Sequence, residues 1–210
     1  MDNIEQGSPE WFEIRLGKVT ASRISDLMAK TKSGWGASRK NYEAQLIAER
    51  LTGQVEETFK SPAMERGNEL EAEAVSAYEF FRNVECNEIG FVLHPKISEA
   101  GASPDRLIGE SGLLEVKCPN TATHLDTLLG GSIKGNYIKQ MQWQMACTGR
   151  KWCDFASYDP RMPEHLQLYV QRVHSDPELI SSIESHVVDF LADVNAKVQQ
   201  LNEPIKEAAE

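Results

Sequence analysis

The sequence predicts an α/β domain with a mixed central β-sheet flanked by helices. The order of its patterns is the first reason: helices come first, followed by a β-meander, a helix, two strands and a final helix. The second reason is a spacing of acids and a lysine that suits one hairpin of such a sheet. The third is that 40% of the 210 residues are hydrophobic, enough for a real core. We expect a single domain, with its core over about 9–195 and an acidic tail over about 200–210.

Three helices are predicted in the first quarter of the chain. They cover about 9–15, 21–29 and 40–52, with a flexible basic loop over 32–38. Gly53 suits the left-handed C-terminal cap of the third helix. Thr20 or Ser22 can be the N-cap of the second, because the hydroxyl of either can accept a hydrogen bond from a free backbone N–H group.

A longer helix is predicted to begin at Ser61 and Pro62 and to run to about Phe81. Its apolar stripe at the helical period consists of Met64, Gly67, Leu70, Ala74, Val75, Tyr78 and Phe81. Glu71 falls inside this stripe, where a carboxylate is costly unless it is paired. Either a structural arginine or backbone group satisfies Glu71, or Glu71 is a third carboxylate beside the sheet.

Strands dominate the rest of the predicted chain. They cover about 88–94, 101–108, 113–118, 152–158 and 166–173, and helices cover 137–148 and the segment that begins at 176. We expect 101–109 to pair with 113–118 as a hairpin. His94 and His124 are lone histidines without ligand spacing, so we expect them to be structural or surface residues. Trp143 is expected in the core, with a base-stacking platform as the alternative.

Asp105, Glu115 and Lys117 carry the clearest functional signal. Side chains alternate along a strand, so Glu115 and Lys117 share one face and Val116 lies on the other. The hairpin can bring Asp105 to the face of Glu115. Such oxygen ligands suit Mg²⁺ or Mn²⁺, and a nearby lysine can orient or deprotonate a water. The pattern indicates a metal-dependent nuclease, although an ordinary hairpin with an exposed Glu–Lys pair explains the same spacing.

The expected roles follow from charge. Asp105 and Glu115 would bind the catalytic metal, and the Val116 carbonyl could add a ligand. Glu71 would help to hold a second ion, since two ions can stabilise both the attacking and the departing oxygen. Lys117 would lower the pKa of the attacking water or neutralise charge in the transition state.

The formal net charge of −10 is unevenly distributed. Residues 15–40 are rich in lysine and arginine, whereas 175–210 are rich in acids. One basic end can bind DNA while the outer surface stays acidic, or both segments are simply solvated faces. No apolar run reaches membrane-spanning length and no signal peptide is visible, so we expect a soluble cytoplasmic protein with four unpaired cysteines and no membrane partner.

Several short motifs resemble the phage lambda exonuclease family, also called the YqaJ-type viral recombinase domain, which has a PD-(D/E)xK restriction-endonuclease-like core. The resemblance extends from about residue 11 to 173 and is much more specific than the acid and lysine spacing. It rests on residues 15–17, 20–22, 67–71, 103–105 (SPD), 114–119 (LEVKCP), 129–131, 140–142 (QMQ) and 158–162 (YDPRM).

The resemblance implies a Mg²⁺-dependent exonuclease, with two ions, that degrades one strand of duplex DNA from its 5′ end. It would release 5′-mononucleotides and leave a 3′ overhang. Family members form ring-shaped homotrimers around the DNA and act with a single-strand annealing recombinase. By the same resemblance, Asp105, Glu115 and Lys117 fall on catalytic positions and Glu71 on the upstream acid.

Four further site residues follow from the resemblance. Arg15, Ser22 and Lys32 fall on positions that grip the 5′-phosphate, an arrangement of cations and a hydroxyl that suits a phosphate dianion. Lys32 is alternatively a mobile loop lysine, and Ser22 a helix cap. Gln140 falls on a family glutamine near the active site, whereas Gln144 stands where the wider superfamily often has tyrosine, which leaves its role open.

Two other functions remain possible at this point. An endonuclease of the restriction or junction-cutting type can use the same core, and it alone would open a covalently closed circle. A non-catalytic module that binds DNA ends is the third interpretation. The presence of Asp105, Glu115 and Lys117 together argues against it, because a binding module does not need all three.

Overall fold

The computed structural model describes residues 4–55 and 62–203. Its helices are α1 (Pro9–Arg15), α2 (Ile24–Leu27), α3 (Ala37–Thr52), α4 (Pro62–Arg82), α5 (Thr121–Leu128), α6 (Gly135–Thr148) and α7 (Pro177–Asn202). Its strands are β1 (Val19–Thr20), β2 (Lys30–Thr31), β3 (Gly34–Trp35), β4 (Cys86–Asn87), β5 (Val92–Leu93), β6 (Ala100–Ala102), β7 (Arg106–Ile108), β8 (Gly112–Lys117), β9 (Trp152–Tyr158) and β10 (Leu168–His174).

A five-stranded mixed sheet with the order β10-β9-β8-β7-β4 forms the centre of the domain. Strands β8 and β9 are parallel, and the other neighbours are antiparallel. The β7–β8 hairpin pairs Arg106 with Leu114 and Ile108 with Gly112. The predicted α/β class with a mixed sheet is confirmed, and the hairpin forms where the sequence predicts it.

The two faces of β8 explain how the sheet is covered. Leu114 and Val116 pack with Ala74, Val75 and Tyr78 of α4 in one buried cluster. The alternate residue Leu113 packs with Met141 and Met145 of α6 in another. Because side chains alternate along a strand, Glu115 and Lys117 lie on the α6 face of β8.

A helical layer lies beside a smaller sheet with the order β1-β6-β5. Tyr42 of α3 and Phe190 of α7 stack at 5.4 Å inside its core, and both are buried. Trp143 of α6 belongs to the same core and is fully buried, as predicted. Helix α7 buries one face in this core, with Ile183, Val187, Phe190, Leu191 and Val194 at most 4% exposed.

Two predicted strands are wrong as single elements. Within the one over 88–94 only β5 is a strand, while β4 ends just before it and belongs to a different sheet. The one over 101–108 is divided into β6 and β7. Pro104 lies at this break, where a residue without a backbone N–H group cannot continue the ladder. The break lets the chain pass from the small sheet to the central one and places Asp105 at the junction.

Smaller differences concern the N-terminal half. The predicted helix over 21–29 is a 3₁₀ turn at Ala21–Arg23 followed by α2, and the loop over 32–38 is mostly the β2–β3 hairpin. Helix α3 begins at Ala37 rather than 40, and Phe81 at the end of the α4 stripe is 62% exposed. Tail residues 204–210 lie outside the described residues. In the described parts of the chain, no helix combines the length and apolar character needed to cross a membrane.

Candidate active site

The turn before β7 and the end of β8 bring Asp105, Glu115 and Lys117 together. The backbone N–H group of Val116 donates a hydrogen bond of 2.6 Å to Oδ2 of Asp105. This bond ties the carboxylate of the turn to the strand that carries the other two side chains. Asp105 therefore reaches β8 through the backbone of Val116, whose side chain packs in the core on the α4 side.

Glu115 is fully buried and held by three donors. Lys117 Nζ and Gln140 Nε2 both donate to Oε1, the latter at 2.7 Å, while Gln144 Nε2 donates to Oε2 at 2.7 Å. Gln140 and Gln144 are one turn apart on α6, so both amides point to the same strand. The structure thus places Gln144, whose role the sequence left open, in direct contact with Glu115.

Electrostatic strain concentrates on this cluster. Burial, together with the negative charge of Glu115, raises the pKa of Asp105 well above its ordinary value. Burial opposes the charge of Lys117, but Glu115 and Asp105 together raise the pKa of its ammonium group. Lys117 is therefore positively charged near neutral pH, and the two carboxylates share a single nearby ammonium.

Glu71 is paired with an arginine that the sequence did not single out. Arg106 Nη1 lies 3.0 Å from Glu71 Oε1 and 2.5 Å from the backbone oxygen of Asp105. The Glu71 side chain is 36% exposed, so it is less buried than its place in the apolar stripe predicts. Its charge also contributes to the raised pKa of Asp105. Arg106 thus links Glu71 to the Asp105 turn. Its place directly after Asp105 in the sequence is the one local feature that could have pointed to Arg106 as a site residue.

A cleft of about 1030 Å³ opens beside Glu71 and Arg106. Arg15 and Ser22 line this cleft, together with the basic residues Lys18 and Arg23. Its lining is mixed in charge, since it also contains glutamates at positions 5, 49, 65, 71 and 88. Lys32 does not line it. Lys32 is exposed on the turn between β2 and β3, so the structure does not bring it to the other two predicted phosphate contacts.

Arg15 lies in the cleft and forms no ion pair with a described residue, although the charge of Glu49, which also lines the cleft, acts on its guanidinium group. Its Cζ lies 3.5 Å from the centroid of the Trp11 ring, and no described residue accepts a hydrogen bond from its guanidinium group. Burial lowers the pKa of Arg15 to about 10, so the group remains protonated near neutral pH. A half-buried cation that faces an open cleft is suited to an anionic ligand.

The donors around Asp105 fit a divalent cation. Besides burial, the charges of Glu115 and Glu71 raise the pKa of Asp105, so both carboxylates lie near it. Together the three groups offer hard oxygen ligands and excess negative charge. In residues 4–55 and 62–203, no three acidic, histidine or cysteine side chains already converge as an ion site. The physical reason is that Glu115 turns toward Lys117 and the two glutamines, while Glu71 turns toward Arg106.

The remaining residues considered in the sequence are structural. His94 is buried, stacks on Trp143 at 4.7 Å and contacts Glu184. His124 is buried between the Ser157 hydroxyl and the backbone oxygen of Leu166, each at 2.8 Å. Both agree with the expected structural role.

Arg161 completes a bidentate pair in the turn after β9. Its Nε and Nη2 lie 2.7 Å and 2.8 Å from the two oxygens of buried Asp159. Arg161 therefore orders its own turn, and its side chain is still 52% exposed.

A sequence profile of the YqaJ-like viral recombinase domain matches residues 10–151. The chain belongs to the YqaJ-like viral recombinase family. This membership confirms the predicted family, and Asp105, Glu115 and Lys117 all lie inside the matched segment. Nucleases of this family generally depend on divalent metal ions, which agrees with the oxygen donors of the site. Among proteins with curated descriptions, none matches the chain.

Solved structures agree with the YqaJ-like assignment. The alkaline exonuclease LHK-Exo from Laribacter hongkongensis is 50% identical, with a TM-score of 0.87 over 92% of this chain and 96% of that one. A crystal structure of LHK-Exo in complex with dAMP gives the same values. A phage-related exonuclease from Haemophilus somnus 129PT shares the fold at 16% identity, with a TM-score of 0.72 over 88% and 96% of the two chains. The YqaJ-like chain thus has the fold of the alkaline exonucleases, and its family supports a nuclease.

Proposed function

We propose that this YqaJ-like nuclease is a Mg²⁺-dependent exonuclease of linear double-stranded DNA. It degrades one strand in the 5′-to-3′ direction, releases 5′-mononucleotides and leaves 3′ single-stranded overhangs for recombination by strand annealing. The observation that carries the proposal is Arg15: its guanidinium group forms no ion pair with a described residue and lies in a cleft that extends to Glu71 and Arg106. Arg106 in turn donates to the backbone oxygen of Asp105.

The cleft supports a binding site for the 5′-terminal phosphate. Arg15 supplies a charged fork and Ser22 a hydroxyl, and both suit phosphate oxygens. Lys32 remains a predicted third contact, which the exposed β2–β3 hairpin would have to bring to the DNA end. A bound terminal phosphate would place the first phosphodiester toward Asp105, as an enzyme acting on ends requires.

The chemistry proposed for the cluster uses its own residues in distinct roles. Asp105 and Glu115 would hold the cation, with the Val116 carbonyl and Glu71 as further ligands or partners of its waters. When bound, Mg²⁺ supplies Lewis-acid stabilisation of phosphate oxygens, and Mn²⁺ is a possible substitute. Lys117 would orient the attacking water or neutralise developing charge. Gln140 would hold Glu115 in the orientation that the cluster needs.

The product class is supported by a relative. LHK-Exo has been crystallised with dAMP, a 5′-mononucleotide. A site in this chain that accepts such a nucleotide beside Asp105 would hold the proposed product. The basic residues of the cleft would contact the backbone rather than the bases, so we expect weak sequence preference and binding that weakens as salt rises.

We further propose a homotrimeric ring that works with a single-strand annealing recombinase. Subunit interfaces commonly cover large apolar side chains. Phe80 is 92% exposed, Phe81 62% and Leu129 84%, so the described surface carries candidates for such contacts. The ring would explain processive action, since a threaded duplex cannot simply diffuse away.

A comparison of linear and circular duplex tests the reaction. When Mg²⁺ is present, a label at the 5′ end of linear duplex should appear at once in mononucleotides. A label at the 3′ end should stay in the shortened strand. Covalently closed circular duplex should remain intact. Opening of the circle would favour the endonuclease, and binding without any cleavage in Mg²⁺ or Mn²⁺ would favour the non-catalytic module.

A further inference from the structure

Trp11 connects the proposed phosphate site to the turn that carries Asp105. One face of its ring lies against the Arg15 guanidinium group, 3.5 Å from Cζ to the ring centroid. Its indole Nε1 donates a hydrogen bond of 2.9 Å to the hydroxyl of Ser103. Ser103 is two residues before Asp105 in the chain. A single side chain therefore contacts the group that would hold the terminal phosphate and the segment that presents a metal ligand.

Gln6 provides a second connection at the same turn. Its Nε2 donates to the backbone oxygen of Pro104 and to that of Ile89, both at 2.8 Å. The N-terminal segment that leads into α1 is thus fixed to both connections between the two sheets, the one from β4 to β5 and the one from β6 to β7. This connection is independent of Trp11, because it joins the Gln6 amide to backbone oxygens, whereas Trp11 bonds the Ser103 hydroxyl.

The turn between these contacts and the active site is stiff. Proline has a fixed φ angle, and Pro104 is buried. Asp105, the next residue, is in turn held by the backbone N–H group of Val116 at 2.6 Å. Helix α1 is capped by Ser8, whose side chain accepts a hydrogen bond from the backbone of Trp11. Little freedom remains between the Arg15 guanidinium group and the Asp105 carboxylate.

We infer that Trp11 and Gln6 are positioning residues that set the spacing between the terminal phosphate and the bond to be cut. The inference rests on the proposed function, in which Arg15 binds the 5′-phosphate and Asp105 the cation. A fixed spacing of one nucleotide selects the first phosphodiester and gives mononucleotides. If the connection is loosened, the terminal phosphate no longer determines which bond is cut, and longer products appear.

Two conservative variants of the full-length protein remove the Trp11–Ser103 hydrogen bond in different ways. Trp11→Phe keeps an aromatic ring against Arg15 and loses the indole N–H group, whereas Ser103→Ala removes the acceptor. Trp152→Phe is the matched control, because Arg172 lies over the Trp152 ring at the same 3.5 Å but outside the cleft. Thermal melting establishes that each variant is folded.

The readouts are product length and the ratio of the rates on 5′-phosphoryl and 5′-hydroxyl ends. We expect Trp11→Phe and Ser103→Ala each to lower this ratio about 3- to 10-fold, the loss expected for one hydrogen bond. We also expect both to increase the share of dinucleotides. The double variant should do no more than either single one, because both remove the same bond. Gln6→Leu should shift product length in the same direction, and Trp152→Phe should change neither readout.

Unchanged product length and an unchanged rate ratio in folded Trp11→Phe and Ser103→Ala would overturn the inference and leave the bond a purely structural contact. The same holds if Trp152→Phe changes both readouts equally. Failure of the proposed function would be visible separately in the unmodified protein, as no degradation from 5′ ends or no preference for 5′-phosphoryl ends.

Discussion

Gln144 donates a hydrogen bond of 2.7 Å from Nε2 to Oε2 of Glu115, and both side chains are fully buried. Gln140, on the preceding turn of α6, donates from Nε2 to Oε1 of Glu115, also at 2.7 Å. The two amides therefore fix the plane of the carboxylate from one helix. Groups that orient a metal ligand in this way typically affect metal affinity or rate by 10- to 100-fold.

We expect Gln144→Leu to reduce DNA cleavage by about 10-fold or more and to raise the Mg²⁺ concentration at half-maximal rate. The reason is that Glu115 loses one of its buried donors. Gln142→Leu is the control, since buried Gln142 binds the backbone of His174 at 2.8 Å. It should lower the melting temperature and leave the Mg²⁺ requirement unchanged. A normal Mg²⁺ titration for folded Gln144→Leu would remove Gln144 from the site.

Asp105→Asn, Glu115→Gln and Lys117→Ala should each lower the rate of nucleotide release from 5′-phosphorylated linear duplex by about 100-fold or more. The first two keep the shape of the side chain and remove its charge, so a loss of rate reports on the charge. Melting curves should show that each variant is folded. A variant that digests duplex at the normal rate would contradict the role assigned to that residue.

Mg²⁺ should stabilise the protein more in alkaline than in acidic buffer. Burial and the charge of Glu115 raise the pKa of Asp105, so the folded state binds this proton more tightly than the unfolded chain. Without a cation, the contribution of Asp105 is most favourable below the unfolded-state pKa of about 3.9 and is lost as pH rises through the folded-state pKa. A cation that takes the place of the proton on Asp105 restores this contribution to stability.

Thermal melting with and without Mg²⁺ at several pH values measures this effect. A chain of this length should gain roughly 2–4 °C for each kcal/mol of binding free energy. Asp105→Asn should melt with little dependence on Mg²⁺. Equal Mg²⁺ shifts in the variant and the unmodified protein would show that the ion binds elsewhere.

The hairpin and its functional face could be predicted because the information is local. Glu115, Val116 and Lys117 alternate in polarity within three residues, which fixes the side of the strand on which each lies. The break at Pro104 was less visible, since proline tolerates the edges of strands as well as turns. That break depends on tertiary contacts, among them the bond from Gln6 to the Pro104 carbonyl.

The partners of the predicted residues were harder to predict. Trp11 and Ser103 are separated by 92 positions, and nothing in either local pattern indicates that they meet. Gln144 is an ordinary polar residue of a helix, and only its four-residue spacing from Gln140 indicates a shared face. The sequence indicates that Glu71 needs a partner, but the arginine that pairs with it depends on how α4 packs on the sheet.

Arg15→Ala should lower the rate on 5′-phosphoryl ends by about 10-fold or more and affect 5′-hydroxyl ends much less, because a charge-assisted bond to phosphate is lost. Lys32→Ala should have the smaller effect of the two, since Lys32 is exposed outside the cleft. Initial rates on paired substrates that differ only in the terminal group measure both. Equal losses of rate on the two kinds of end in Arg15→Ala would count against the phosphate site.

Asp159→Asn should lower the free energy of unfolding by about 2 kcal/mol near neutral pH, because buried Asp159 accepts charge-assisted bonds from Arg161 and a bond of 2.7 Å from Thr121. Hydrogen bonds from Arg161 hold the pKa of Asp159 well below its ordinary value. The stabilisation is therefore present above the unfolded-state pKa of about 3.9 and is lost as pH falls from there through the folded-state pKa.

Denaturant unfolding at neutral pH and in acid measures the difference between Asp159→Asn and the unmodified protein, which should shrink in acid. Asp189→Asn is the matched control, because Asp189 is exposed on α7 and forms no ion pair with any residue in the described ranges. It should unfold like the unmodified protein at both pH values. If the difference in free energy of unfolding for Asp159→Asn stays constant into acid, the charge of Asp159 does not stabilise the turn. The asparagine would then destabilise the protein through its packing.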